Sequence, residues 1–157
     1  MRRRIVGLFL ALAGAVVVAT LAPLAAADAV YHTEHLSLTS VGGAPLRSGF
    51  VQNIKAEGPE VYAHELFVLN GAEPSTTYAV TRNFFVFDPA CEGDGFVSRS
   101  QVGTITTNPA GNGTDDVVVR PEEVPEFLLG AHGVFWTVTD EFGSIRYQTA
   151  CTAVTLD

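Results

Sequence analysis

The chain has 157 residues, of which nine are Lys or Arg and seventeen are Asp or Glu, so its formal net charge is −8. A surface with this excess of acids repels nucleic acid and anionic lipid, and we expect no nucleic-acid partner. Once a leader is set aside, the length suits one domain that is large enough to bury a hydrophobic core.

The N-terminus has the three regions of a secretory signal. Three arginines precede an apolar run, and three alanines ending at Ala27 offer the small residues that a signal peptidase needs. We predict a Sec-type signal peptide over residues 1–27, removed after Ala27 or after Ala29, and a single domain over residues 28–157. A retained membrane anchor is the alternative, because the apolar run is near the lower length limit for a span. After cleavage we expect a secreted protein with no membrane attachment.

Strand-like segments follow the leader, separated by Gly, Pro and Asn turns and without helical periodicity, and this pattern predicts an all-β sandwich. Eight strands are predicted, over residues 30–40, 50–56, 61–69, 78–87, 97–107, 116–120, 132–139 and 144–156. The first resembles an edge strand, and the third, apolar on both faces, an interior one. Gly-Asn-Gly at 111–113 predicts a hairpin turn. Two prolines within 121–130 predict a connection with one helical turn.

Cys91 and Cys151 are the two cysteines of the chain, and both belong to the part predicted to be exported. An even pair of cysteines in an oxidising compartment is most simply one disulfide. Closing a loop of about 60 residues contributes on the order of 4 kcal/mol in the chain-entropy model. Free thiols or a thiolate metal site would need more Cys or His nearby than the sequence shows.

The segment from Pro74 to Val80, which contains Thr76 and Tyr78, leads into the most apolar strand. It resembles the tyrosine corner of immunoglobulin-like and fibronectin type III sandwiches. The resemblance implies a Greek-key sandwich of about seven or eight antiparallel strands, with the Tyr78 hydroxyl bonded to the preceding loop. The tryptophan that the family carries before the corner has no counterpart, because Trp136 comes late. This resemblance implies a fold and no activity.

The corner, the run from Gly103 to Asn108, the Gly-Asn-Gly turn and the two cysteines occur together over most of the chain. In this combination they are similar to small exported proteins of uncharacterised function from high-GC Gram-positive bacteria. That likeness implies export and a disulfide, and no particular chemistry.

Two groups of side chains are candidate metal ligands. His32 and His35 supply imidazoles, but strand residues three apart face opposite sides, so a copper or zinc site would need ligands from other strands. Asp88, Glu92 and Asp94 lie in one Gly-containing loop and supply the oxygens that calcium prefers, although their spacing is not that of an EF-hand. A solvated surface is the alternative interpretation of both groups.

The sequence contains neither a Gly-x-Ser-x-Gly elbow nor a His-Glu-x-x-His motif. Glu57, Glu60 and Glu65 are the carboxylates from which a glycosidase pair would come, and such a pair needs a fixed separation across a cleft. We therefore expect a secreted, non-catalytic binding or envelope-associated module without a cofactor, whose partner is an extracellular protein or glycan. The alternatives are an exported copper, zinc or calcium protein and a small secreted hydrolase.

Overall fold

The computed structural model describes residues 31–56, 63–93 and 97–156, so the predicted signal peptide lies outside the described residues. The elements are β1 (Tyr31–Ser37), β2 (Thr39–Ser40), β3 (Ser48–Ala56), β4 (Ala63–Asn70), β5 (Thr77–Phe85), β6 (Val97–Thr106), β7 (Gly113–Val119), the single 3-10 turns η1 (Pro121–Glu123) and η2 (Glu126–Leu128), β8 (Gly130–Thr139), β9 (Ile145–Gln148) and β10 (Thr152–Leu156). Within these ranges no helix is long and apolar enough to cross a membrane. The all-β prediction is confirmed.

The strands form two antiparallel sheets. The first has the order β1-β3-β4-β7, which places β1 at an edge and β4 in the interior, as predicted. The second has the order β2-β9-β8-β5-β6, and β10 pairs with the part of β8 that β9 leaves free. The sheets bury a shared core, whose largest fully buried apolar members are Val51, Phe67, Leu69, Tyr78, Val80, Ile105, Val134, Trp136, Val138 and Tyr147. The two-layer sandwich is confirmed.

Two of the eight predicted strands are divided in the structure. The first breaks at Leu38, whose side chain is buried and whose N–H donates to the Gly49 carbonyl at 2.9 Å. As a result β1 stays in the first sheet while β2 joins the second. The last predicted strand breaks between β9 and β10, where Cys151 leaves the ladder to bond Cys91. Both breaks depend on distant partners, so strand propensity cannot locate them.

The predicted hairpin turn at 111–113 is wrong. β6 belongs to the second sheet and β7 to the first, so this turn carries the chain from one layer to the other. Its Gly111 packs against the corner loop, where the Ala72 N–H donates to the Gly111 carbonyl at 2.9 Å. The connection over 121–130 contains two short helical turns instead of the one predicted.

The immunoglobulin-like strand order remains a prediction. In immunoglobulin domains the strand after the tyrosine corner pairs with one earlier strand and one later strand. Here β5 follows the corner and pairs with β6 and β8, both of which come later in the chain. The pairing of β5 therefore differs from the immunoglobulin order.

Candidate functional site

A cavity of about 180 Å³ lies between the two sheets, at the end of the sandwich where β5 finishes and β6 begins. Small side chains on β6 leave this space: Ser98 pairs with Phe84, and Ser100 pairs with Arg82. Farther along the same strand the buried Ile105 pairs with Tyr78 and fills the interior. The serines therefore explain why space is left between the sheets at this end.

Glu65 connects the two sheets at this cavity. It lies on β4 in the first sheet, and 1% of its surface is exposed. Its Oε1 accepts a hydrogen bond from Nη1 of Arg82 at 2.7 Å, and its Oε2 accepts one from Nε1 of Trp136 at 3.1 Å. Arg82 and Trp136 are cross-strand partners in the second sheet, so they project from the same face. Burial raises the pKa of the Glu65 carboxyl, while the Arg82 charge and the two hydrogen bonds act in the opposite direction.

Polar atoms without partners mark the cavity. Three buried side-chain atoms in the described part of the chain have no hydrogen-bond partner: Glu34 Oε2, Asn53 Oδ1 and Arg82 Nε. Asn53 and Arg82 both line the cavity, and Asn53 is the residue directly opposite Glu65 on the neighbouring strand. Asn53 and Arg82 therefore form the polar part of the cavity wall, and the two unpartnered atoms themselves are buried beneath its surface.

The connection between β7 and β8 covers the cavity. This connection lines the cavity with Val124, Pro125 and Leu128. The fully buried His132 on β8 holds this cover, because its Nε2 donates to the Leu128 carbonyl at 2.7 Å. Its Nδ1 accepts from the Phe87 N–H at 3.1 Å. The neutral tautomer protonated at Nε2 satisfies both bonds and ties the cover to the loop after β5.

The corner residues lie at the opposite end of the sandwich. The Tyr78 hydroxyl is 3.3 Å from the Tyr147 hydroxyl, which itself donates to the Pro45 carbonyl at 2.9 Å. The partner of Tyr78 in the described residues is therefore a second tyrosine and not the preceding loop that the family resemblance implied. The corner itself is closed by Thr76, whose Oγ1 donates to the Pro74 carbonyl at 3.0 Å. Burial raises the pKa of the Tyr147 phenol.

Cys91 and Cys151 are bonded to each other, with their Cα atoms 6.5 Å apart. The disulfide lies over β8 at Gly133, where an added Cβ would come within 2.6 Å of the Asp88 carbonyl oxygen and collide with the Cys91 sulfur. A glycine within a strand often marks such a close approach, so Gly133 was a signal in the sequence for this contact.

The structure describes the side chains of three of the five candidate metal ligands: His35, Asp88 and Glu92. His35 is exposed and stacks on Phe50, with ring centroids 4.4 Å apart. His32 lies three residues earlier on β1, opposite Lys55, and its side chain is outside the description. Asp88 Oδ2 accepts from the Gly93 N–H at 2.7 Å and Glu92 is exposed.

Asp94 falls outside the described residues, as do Glu57 and Glu60. Across residues 31–56, 63–93 and 97–156 there is no group of three His, Cys, Asp or Glu side chains placed to hold a metal ion.

The sequence interpretation missed the pairing of Glu65 with Arg82, although a signal was present. Glu65 has the same strand parity as the buried Phe67, and Arg82 has the same parity as the buried Val80. Two opposite charges in the inward phase of different strands are typical of a buried ion pair, since an unpaired buried charge is costly.

Comparison with known proteins adds no function. No family model matches the sequence, and no curated protein matches it. Among solved structures, the Pseudomonas fluorescens alkylpurine DNA glycosylase AlkC, bound to DNA containing an abasic site analog, matches with a TM-score of 0.37 and 14% identity. The match covers 82% of this chain and 30% of the glycosylase chain. A likeness this distant carries no argument about fold or function.

Proposed function

We propose that the protein is an exported, non-catalytic binding module that holds a small ligand in the cavity between its sheets. The observation that carries the proposal is the cavity of about 180 Å³ between the sheets, whose lining combines apolar side chains with the polar residues Asn53, Arg82 and Ser98. Ligand sites are typically concave and largely apolar, with a few placed polar groups that orient the ligand. The cavity has space for a free small molecule or for a side group of similar size on an extracellular protein or glycan.

Two features support export. The N-terminus has the charge, apolar and small-residue regions of a secretory signal, and the two cysteines are bonded, as is usual in oxidising compartments. Expression of the full chain in a secreting host tests this, with intact-mass analysis of the product in the medium. The expected product begins at Asp28 or Val30 and contains no free thiol. Recovery of a membrane-bound product that retains residues 1–27 would contradict export.

The Glu65 carboxylate has the burial of a catalytic acid but is held as a binding and structural group. Only 1% of its surface is exposed, and its two oxygens are bonded to Arg82 and Trp136, so the carboxyl has almost no contact with a molecule in the cavity. We therefore place the small-hydrolase alternative below the binding module. Turnover in a hydrolase screen that disappeared in Glu65→Gln would reverse this order.

The metal-binding alternative is tested by elemental analysis of protein purified without added metal. Stoichiometric copper, zinc or calcium that is lost in a variant lacking His35 or Asp88 would favour that alternative over the cavity.

A thermal-shift screen of small molecules tests the binding proposal directly. Ligands of the cavity are expected to raise the unfolding temperature of the full chain and to lose this effect in Ser98→Phe, where the new ring occupies the space opposite Phe84. Thr104→Phe on the exposed side of the same strand is the matched control, because it adds the same ring outside the cavity. Stabilisation that is equal in both variants would show binding elsewhere.

A further inference from the structure

An exposed apolar surface lies on the outer side of the cavity cover. Phe87 is 62% exposed, Phe127 is 72% exposed and Leu129 is 37% exposed, and these three residues form the cover surface. Phe127 and Leu129 flank Leu128, whose side chain lines the cavity. The uncovered area of the three residues is on the order of 300 Å², the size of the largest apolar patch on a typical monomer, and such patches are often functional.

The cover surface is continuous, although its residues come from two segments. The Phe87 ring, from the loop after β5, reaches the connection between β7 and β8, because a Cβ added at Gly130 would lie 3.3 Å from it. The buried His132 fixes the two segments to each other through its bonds to the Phe87 N–H and the Leu128 carbonyl. The apolar side chains are therefore held close together before any partner binds.

Acidic side chains surround the cover surface. The segments 87–93 and 120–130 contain one basic residue, Arg120, and five acids: Asp88, Glu92, Glu122, Glu123 and Glu126. Within the part of the chain that the structure describes, none of these acids lies at salt-bridge distance from a cation. The cover surface therefore combines exposed apolar side chains with an excess of negative charge.

These two properties together define the chemistry of a partner. Apolar side chains are needed to cover the rings, and positive charges are needed to match the surrounding acids. Nucleic acid and anionic lipid bring further negative charge and are repelled. A neutral glycan leaves the acids unmatched. A peptide segment in which Lys or Arg alternates with apolar residues supplies both properties.

We infer that the cover surface binds a basic, apolar peptide segment of a protein partner. Its apolar side chains pack on Phe87, Phe127 and Leu129, and its cations lie beside the glutamates of the connection. The inference goes beyond the proposed cavity ligand, because this surface is on the outside of the cover.

Three fluorescently labelled peptides of equal length test the inference. KLFKLFK has both properties, ELFELFE keeps the apolar residues with the opposite charge, and KSSKSSK keeps the charge without the apolar residues. Each is titrated with the full chain while fluorescence anisotropy is followed. KLFKLFK is expected to bind at least about tenfold more tightly than either of the other two, and to bind more weakly as the salt concentration rises.

Variants of exposed residues locate the binding. Phe127→Ser removes the most exposed ring of the cover surface and should weaken KLFKLFK binding about tenfold. Phe142→Ser is the matched control, because Phe142 is 83% exposed in the turn between β8 and β9, at the opposite end of the sandwich. Glu122→Gln/Glu126→Gln should weaken binding about fivefold, whereas Glu141→Gln, beside Phe142, should leave it unchanged. Unchanged unfolding temperatures verify that the variants fold.

The outcomes are independent of the cavity ligand. Ser98→Phe fills the cavity and should leave KLFKLFK binding unchanged. Loss of peptide binding in Ser98→Phe with no effect of Phe127→Ser would place the peptide in the cavity and overturn the inference. Equal binding of the three peptides, no binding of any, or equal effects of Phe127→Ser and Phe142→Ser would also overturn it. Sedimentation with phosphatidylcholine vesicles that is lost in Phe127→Ser, when no peptide binds, would assign the surface to a membrane instead.

Discussion

The two ends of the sandwich are built on different principles. At the tyrosine end, defined by Tyr78, Tyr147 and Pro45, large apolar side chains fill the interior and the hydroxyls form a chain that ends on a backbone carbonyl. At the cavity end, defined by Glu65, Arg82, Trp136 and Asn53, serines leave space and polar atoms remain without partners.

The comparison shows that, in this fold, the region that contributes most to stability and the region with space for a ligand lie at different ends of the sandwich. A fully packed and hydrogen-bonded region contributes stability and offers nothing to a ligand. A region with space and unsatisfied atoms is less stable by itself, and a ligand that fills it stabilises the folded state. Four predictions address this contrast.

The largest effect is expected from breaking the ion pair at the cavity end. Arg82→Met removes the cation and leaves Glu65 as a buried, uncompensated carboxylate, so the free energy of unfolding should fall by about 3–5 kcal/mol. Urea denaturation at neutral pH measures the loss. The double variant Glu65→Leu/Arg82→Met is the control and should be far closer to the wild type, because no buried charge is left. A single variant as stable as the double one would show that the pair is solvated.

The disulfide is expected to come next. Replacing Cys91 and Cys151 by alanine opens a loop of 60 residues and should lower the free energy of unfolding by on the order of 4 kcal/mol or less. The Cys91→Ser/Cys151→Ser pair controls for side-chain chemistry. The wild type under non-reducing conditions should show no alkylatable thiol. Two titratable thiols in the native protein would show that Cys91 and Cys151 are not bonded to each other.

A smaller effect is expected at the tyrosine end. Tyr78→Phe removes one buried donor to Tyr147 and should cost about 1–2 kcal/mol in the free energy of unfolding. Tyr147→Phe should cost more, because it loses the bonds to both Tyr78 and Pro45. Neither variant should change ligand affinity at the other end. An unchanged denaturation midpoint in both would mean that packing alone holds this end.

The smallest effect concerns pH. Because the pKa of Glu65 is raised in the folded state, the native protein holds a proton over a pH range in which the unfolded chain has lost it. The contribution of this residue to stability is therefore full below its unfolded pKa near 4.5 and falls as pH rises through the folded pKa. Comparing the unfolding temperatures of the wild type and Glu65→Gln across pH 4 to 8 isolates the contribution of the Glu65 carboxyl to stability. As pH rises, the wild type should lose stability relative to Glu65→Gln. A gain in relative stability would show that the pKa of Glu65 is lowered in the folded state.

Much of the architecture was open to prediction from local pattern. Alternation on β4 and the turn residues before Tyr78 determine where strands begin and which faces are buried, because side chains alternate along a strand whatever it pairs with. The same alternation separates the neighbouring Phe84 and Phe85, since Phe84 lines the cavity and Phe85 packs against Phe135 on the other face.

The candidate site was harder to predict, and the reason is geometric. The two metal-site hypotheses, for His32 with His35 and for the loop from Asp88 to Asp94, were based on residues close in sequence. The cavity instead assembles residues far apart in the chain, since Glu65 and Trp136 are 71 positions apart. Only the inward parity of Glu65 and Arg82 pointed toward it.

The sequence by itself determined the acidic charge, the β-rich pattern, the cysteine pair and the predicted export signal, since each depends on composition or on neighbours along the chain. The tertiary structure decided which strands became neighbours, that Tyr78 meets Tyr147, and that serines facing Arg82 and Phe84 enclose a cavity. These features arise when two sheets pack face to face, and the fit of opposing side chains across that interface is not encoded in any single segment.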